Sequence, residues 1–448
     1  MELVGRRPER RILIYFLSAI LCGAVLLSLP VSAAEEPIAF IDALFTSTSA
    51  VCVTGLIVLD TGKDFSLIGQ IIILFLIQIG GLGIMTFASI LLARLIPHLS
   101  FLDNLALTKS LGSSKQIQVK ILLKAVILTT AIFEFLGAIL IFLRFKSQFP
   151  LGEAIFNSIF HSVSAFCNAG FSTFSTSLEA YHNDIFIILI FSVLIICGGL
   201  GFLVLAEIGM RIKTGAYKLS LHSKLSLSAT AFLLLLGTLA ILFFESGHAF
   251  EQTGTAQSVA NAFFQSVTAR TAGFNTIPQP GLSEISLLLT MILMFIGGCP
   301  GSTAGGIKTT TFAALGLLAY NRLKGRTHVR AYNRSISNDS VNSAITVTLT
   351  AITLVVIMLV ALMTLQEEPD MHGLAHGWFI SNAFEVISAF GTVGLSLGTT
   401  NQLETGGKII ITILMFLGRV GLLTLVFSLA GPSRHREAVY LEEQIMIG

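Results

Sequence analysis

Four short phrases in the 448-residue chain end alike: Val53-Thr54-Gly55-Leu56, Asn168-Ala169-Gly170-Phe171, Thr271-Ala272-Gly273-Phe274 and Thr392-Val393-Gly394-Leu395. What they share is a single glycine. Glycine takes, at least cost, the unusual dihedrals that aim successive carbonyls at one axis. Rings of backbone carbonyls can replace the hydration shell of a dehydrated cation. Non-helical backbone at membrane depth is tolerated only where it is buried or lines a water-filled path. The expected chemistry is therefore coordination of a monovalent cation by four turns: Val53, Thr54 and Gly55; Asn168, Ala169 and Gly170; Thr271, Ala272 and Gly273; Thr392, Val393 and Gly394. Potassium is the one metal ion expected there. The plainer alternative, that each glycine is a helix C-cap, has to account for four copies in the same context.

The elements that would hold these turns recur with them. The glycines at 55, 170, 273 and 394 are 115, 103 and 121 residues apart, and a quarter of the chain is 112. A fixed period marks internal repeats. Before each phrase lies an apolar segment (Phe40–Ala50, Ala154–Phe166, Ala260–Thr268, Trp378–Phe390) of 9–13 residues. These are too short to span and suit re-entrant half-helices, whose C-terminal ends aim partial negative charge at the pore centre. A second landmark follows each phrase: Gly80-Gly81, Gly198-Gly199, Gly297-Gly298 and Gly418-Arg419, at offsets of 25, 28, 24 and 24. Apolar runs long enough to span occupy 12–29, 69–93, 121–143, 185–208, 225–244, 285–318, 343–365 and 408–430.

The expected fold is all-α and integral to the membrane. Four tandem helix–half-helix–filter turn–helix repeats surround one central pore, giving eight spanning helices and four re-entrant half-helices. The expected divisions are a cytoplasmic N-terminus at 1–11, repeat 1 at 12–100, a cytoplasmic linker and repeat 2 at 101–212, repeat 3 at 213–322, a linker and repeat 4 at 323–430, and a cytoplasmic C-terminus at 431–448.

The run at 285–318 is too long for one plain helix and is interrupted by Gly297, Gly298, Cys299, Pro300, Gly301, Ser302, Thr303, Ala304, Gly305, Gly306 and, past Ile307, Lys308. Such backbone must sit in a cavity, which makes it the gate candidate; a proline-kinked packing helix is the alternative. Arg419 is an ionisable group inside an apolar run, a functional candidate by default. Its expected partners are Glu385 or the gate-loop carbonyls, and a purely structural charge pair is the alternative. Glu134 is a weaker candidate of the same kind, with a packing role as its alternative. His161 reads as a packed polar residue. The five cysteines show no metal-ligand or disulfide spacing.

Composition agrees. The chain is 54% hydrophobic and 12% charged, with mean hydropathy +0.84. Soluble domains carry roughly 25% charged residues, so the expected solvent is a lipid bilayer. A net charge of +2 offers no case for a nucleic-acid partner. With the half-helix loops outside, 20 of the 27 Lys and Arg fall inside, as the positive-inside rule requires. Lys63, Arg144, Lys146, Arg270 and Lys408 are assigned outside, and both termini are cytoplasmic. The first apolar run with Ser32-Ala33-Ala34 could also read as a cleaved signal peptide, at the cost of an incomplete first repeat. No GK[ST] loop or preceding strand appears, so the chain itself should bind no nucleotide or other cofactor.

The Thr/Asn-x-Gly turns, Gln78-Ile79-Gly80-Gly81-Leu82-Gly83, Gly305-Gly306-Ile307-Lys308-Thr309-Thr310-Thr311 and Phe416-Leu417-Gly418-Arg419-Val420-Gly421 resemble the Trk/Ktr/HKT cation transporter superfamily, in its KtrB-type branch, over nearly the whole chain. The resemblance implies K+ as substrate, Na+ as a candidate activator, and a homodimer with one pore per subunit in the plasma (cell inner) membrane. It implies control by a cytoplasmic RCK-type (KtrA-like) ring, with nucleotide (ATP or ADP) on that partner. It also implies that the 297–308 loop obstructs the pore below the filter, with Arg419 nearby. In plant HKT members a serine at the first filter glycine goes with sodium preference; Gly55 here implies potassium. Two other readings stay open: a sodium or mixed monovalent cation transporter of the same fold, and a secondary active solute transporter. No paired carboxylates or nucleophile motif points to an enzyme.

Overall fold

The computed structural model describes residues 8–95, 115–215, 218–251, 253–366 and 376–421. It is almost wholly helical; a two-stranded hairpin (β1 Arg330–Ala331, β2 Arg334–Ser335) is the one sheet among the described residues. The helices fall into four groups. The first is α1 (Pro8–Leu27), α2 (Phe40–Cys52) and α3 (Leu67–Leu95). The second is α4 (Lys115–Phe145), α5 (Leu151–Cys167), α6 (Ile185–Leu200) and α7 (Phe202–Thr214). The third is α8 (Leu221–Glu245), α9 (Thr255–Thr268), α10 (Glu284–Phe295) and α11 (Thr309–Leu323); the fourth is α12 (Asn338–Leu365), α13 (Trp378–Gly391) and α14 (Thr405–Val420). The C-terminal stretch expected at 431–448, and residues 101–114 of the first linker, lie outside the described residues.

Each short helix packs against the first long helix of its own group and against the inner helix of the group before it. Thus α5 meets α3, α9 meets α6, α13 meets α10, and α2 meets α14, which closes the circle. At that closure Lys408 pairs with Asp42 at 2.5 Å. One contact recurs within the first three groups. Ser47, Ser162 and Ser266 on the short helices donate to the carbonyls of Ile20, Glu134 and Leu234 at 2.7, 2.7 and 3.0 Å. Three residues beyond each carbonyl stands Gly23, Gly137 or Gly237, where a Cβ would strike that serine and Leu76, Leu194 or Leu293.

Capping follows local chemistry. Asp184, Ser220, Ser283 and Ser337 accept the third backbone N–H beyond them and start α6, α8, α10 and α12. Outward faces are apolar, with Phe135 at 67% and Phe243 at 75% exposure. Water would not tolerate that density of exposed apolar side chains; lipid does.

The eight expected spans are not matched one for one. Among the described residues three helices are long and apolar enough to cross a bilayer: 124–145, Leu221–Glu245 and Asn338–Leu365. The run at 185–208 is instead a bent pair, α6 and α7 meeting at 105° around Gly201. The inner helices α10 and α14 stop after 12 and 16 residues, short of the ~20 that hydrocarbon requires.

Candidate functional site

The short helices α2, α5 and α13 end on residues of left-handed backbone: Val53 (φ 56°), Asn168 (φ 58°) and Thr392 (φ 49°). Thr271 (φ 79°) does the same in the third group. Asparagine is at ease there, whereas β-branched side chains are genuine outliers, and such strain costs of order 1–3 kcal/mol per residue. Two residues on come Gly55, Gly170, Gly273 and Gly394, with φ of 89°, 71°, 78° and 93°. A Cβ on Gly55 would lie 2.5 Å from the Ala169 carbonyl oxygen, and one on Gly170 would lie 2.9 Å from that of Ala272. One on Gly273 would strike the Val393 oxygen, and one on Gly394 the Thr54 oxygen. The four turns therefore face one another in chain order and close into a circle. Each glycine abuts the carbonyl preceding the next glycine, so the circle is lined by backbone.

Hydroxyls on the short helices brace the turns. Gly55 N donates to Ser49 Oγ and Gly394 N to Ser388 Oγ, both at 3.1 Å. Ser164 Oγ donates to Phe171 O at 2.7 Å and Thr268 Oγ1 to Phe274 O at 2.6 Å. Thr54 Oγ1 and Thr392 Oγ1 are buried without a hydrogen-bond partner. Beyond the glycines a cavity of about 300 Å³ opens, touching all four of them. Glu179 lines it; burial raises its carboxyl pKa, and the bond from Asn275 opposes that rise.

On the opposite side lies the broken third inner helix. After Phe295 the chain leaves the helix and returns to it at Thr309. Gly297 N donates to Ile307 O (2.8 Å) and Ile307 N to Phe295 O (3.2 Å), closing the neck of a loop. The loop is tied to the second group: Cys299 N to Gly199 O (2.9 Å), Thr303 N to Gly198 O (3.3 Å) and Phe202 N to Gly301 O (3.3 Å). Gly305 is so close to Thr392 that a Cβ would collide with its side chain. Cys299 and Ala304 are fully buried, and Ser302 folds its hydroxyl back onto Cys299 O at 2.6 Å.

Three buried or half-buried cations hold this loop by its carbonyls. Arg419 donates to Thr303 O and, at 3.0 Å, to Gly80 O. Lys308 Nζ donates to Ala304 O at 2.7 Å. Arg270 donates to Gly297 O at 3.2 Å. Of the two expected sets of partners for Arg419, the carbonyls are the ones it meets. Glu385 is engaged elsewhere: it accepts from Ser396 Oγ (2.5 Å), Leu397 N (3.0 Å) and Thr400 Oγ1 (2.5 Å), fixing the chain after the fourth turn. Glu385→Gln is expected to cost about 2–3 kcal/mol, since hydrogen bonds to a charged group contribute roughly 1.5–3 kcal/mol each. A lower melting temperature in detergent would register it.

Arg270 needs correction. The loop assignment put it outside, but it is 7% exposed and turned toward the broken helix. The reason is one missing residue. Ser49, Ser164 and Ser388 each lie six residues before their glycine, whereas Thr268 lies five before Gly273. Counting back three from each glycine aligns Arg270 with Cys52, Cys167 and Gly391, the last residues of the other three short helices, although its own helix ends two residues earlier at Thr268. That spacing was available in the sequence. Of the remaining candidates, Glu134 accepts from Gln78 Nε2 at 3.0 Å between the first two groups. His161 is buried, bonded to Asn157 O (2.7 Å) and Ser172 Oγ (2.9 Å), and ringed by phenylalanines.

Comparisons with known proteins agree with this architecture. The model of the TrkH family, described as a cation transport protein, matches residues 14–436. The Potassium/sodium uptake protein NtpJ of Enterococcus hirae is 41% identical over 447 residues, 98% of this chain and 97% of that one. The Ktr system potassium uptake protein B of Bacillus subtilis is 38% identical over 433 residues, 94% of this chain and 93% of that one. The crystal structure of the potassium transporter TrkH from Vibrio parahaemolyticus shares the fold, with a TM-score of 0.73 at 23% identity over 93% of this chain and 84% of that one. With a family match spanning nearly its whole length, this chain belongs to the TrkH family of cation transport proteins, and it is a membrane transporter rather than an enzyme.

Proposed function

We propose that the chain is the potassium-translocating membrane subunit of a Ktr-type uptake system. The observation that carries this is the closed circle of backbone at Gly55, Gly170, Gly273 and Gly394. A circle of that kind offers carbonyl oxygens in place of water and repels no cation with a side chain. Val53–Gly55, Asn168–Gly170, Thr271–Gly273 and Thr392–Gly394 form the filter, within a pore of four repeats. The loop from Gly297 to Lys308, held by Arg419, is the barrier beneath it. The names of the relatives, potassium uptake protein B and potassium/sodium uptake protein, support the substrate class. The same reading takes the subunit as a homodimer in the plasma membrane with cytoplasmic termini. It is governed there by an RCK-type ring that carries the nucleotide.

The name of the Enterococcus relative, a potassium/sodium uptake protein, favours one second reading, a mixed potassium and sodium pathway. Purified protein in liposomes decides between them. Potassium flux well above sodium flux is expected under equal gradients. Deleting Cys299–Ala304 should raise that flux and loosen its dependence on any cytoplasmic partner. Equal fluxes favour the mixed pathway, and a deletion variant that inserts normally without added flux removes the barrier assignment.

A further inference from the structure

The cavity outside the filter has eighteen lining residues among those described, and Glu179 is the one charged side chain in the set. Its place is built by the chain around it. Ser177 adopts left-handed backbone (φ 52°) and turns the segment toward the third filter turn. Leu178 N then donates to Asn275 O at 3.0 Å, and Asn275 N to Ser177 Oγ at 3.4 Å. Asn275 follows Gly273 by two residues, so this clamp ties the segment to the filter's own exit. Asn275 Nδ2 donates to Glu179 Oε1 at 2.6 Å. Among the described residues no donor reaches Oε2. The salt bridges present, Arg144–Asp184 and Lys408–Asp42, leave Glu179 without a basic partner.

We infer that Glu179 is the cation-attracting residue of the outer mouth, a positioning residue that raises the local concentration of monovalent cation before it meets the glycine circle. The inference rests on the pore reading above. A single carboxylate fixed in a concave, partly dry mouth focuses its field on the space in front of it. The other lining groups are neutral: apolar side chains such as Ile57 and Phe174, and hydroxyls, amides and backbone that can solvate a partly hydrated ion but cannot draw one in. The carboxylate is held through Oε1 by one hydrogen bond from the Asn275 side-chain amide, which leaves Oε2 uncommitted among the described residues. Because the charge acts over distance, its effect belongs to capture of the ion and not to passage through the circle.

The test is potassium uptake into liposomes by the full chain, with KM and maximal rate measured at about 0.01 M and 0.15 M ionic strength set by an impermeant organic salt. The Debye length falls from about 30 Å to about 8 Å across that range. In wild type, KM should rise with ionic strength. Glu179→Gln keeps the acceptor for Asn275 and removes the charge, so its KM at low ionic strength should be roughly three- to tenfold higher, the scale of one nearby unit charge in a partly aqueous site. Its maximal rate should be unchanged and its KM insensitive to salt. Glu179→Asp should restore most of the salt-dependent capture. A wild-type-like KM and salt response in Glu179→Gln overturns the inference while leaving the pore intact. So does a loss of maximal rate and melting temperature shared by both variants, which would make Glu179 a brace. A wild type that carries no potassium overturns the pore reading and this inference with it.

Discussion

Replacing Gly55 with serine is expected to lower potassium-over-sodium discrimination by about tenfold or more, with the protein still folded. The new Cβ would arrive 2.5 Å from Ala169 O and 2.9 Å from Gly170 Cα, both backbone atoms of the neighbouring turn. Neither can swing aside as a side-chain tip would. The native φ of 89° adds strain of about 1–3 kcal/mol for any side chain. The circle can accept serine only by moving the Ala169 carbonyl of the neighbouring turn. A difference of 1.4 kcal/mol between two ions is already tenfold, so a small displacement suffices. Competition between potassium and sodium uptake in liposomes measures it. An unchanged ratio in a well-folded variant would take the first turn out of the filter.

The second large effect is expected at Arg419. A positive charge about 7 Å from a cation opposes it by about 2 kcal/mol at an effective dielectric of 20, and each 1.36 kcal/mol of barrier is tenfold in rate. The same guanidinium pins the loop through Thr303 O and the first group through Gly80 O. Arg419→Gln keeps a donor for one carbonyl and removes the charge, so maximal flux should rise by about tenfold or more, with KM changing less. Melting temperature and flux should be read on one preparation. Lower stability with flux per folded molecule at or below wild type would make Arg419 a brace of the fold rather than part of the barrier.

Much of this site was legible because repetition amplifies weak signals. One glycine after a short apolar segment means little, but four at a common period locate four turns, and the structure sets those glycines against one another. The break at Gly297–Gly306 was equally plain, since glycine and proline at that density cannot stay helical. Other features left no such trace. The bend at Gly201 sits in an apolar run whose composition fits a straight span, and nothing local separates it from the unbroken helix through Gly80-Gly81. The serine–glycine–leucine contacts use residues too common to stand out. Helix ends were equally hidden: α10 stops at Phe295 and α14 at Val420, inside runs whose composition continues apolar. Arg270 differs from its expected place because the hydroxyl-to-glycine spacing of the third repeat is one residue shorter and the side chain turns inward onto Gly297 O.

The closed neck of the loop sets its clock. With Gly297 N on Ile307 O and Ile307 N on Phe295 O, opening of the proposed barrier is expected to move the segment between them as one piece rather than residue by residue from its ends. To do so it must release Cys299 from Gly199, Thr303 from Gly198 and Gly301 from Phe202, together with the charged donors, in a single concerted event. Motions of whole lids fall in the microsecond-to-millisecond range, far slower than side-chain rotation. Conduction through one molecule should accordingly be intermittent: silent intervals broken by bursts, with mean open time insensitive to ion concentration. Loosening the ties to Gly198 and Gly199 should shorten the silences while leaving the current within each burst the same.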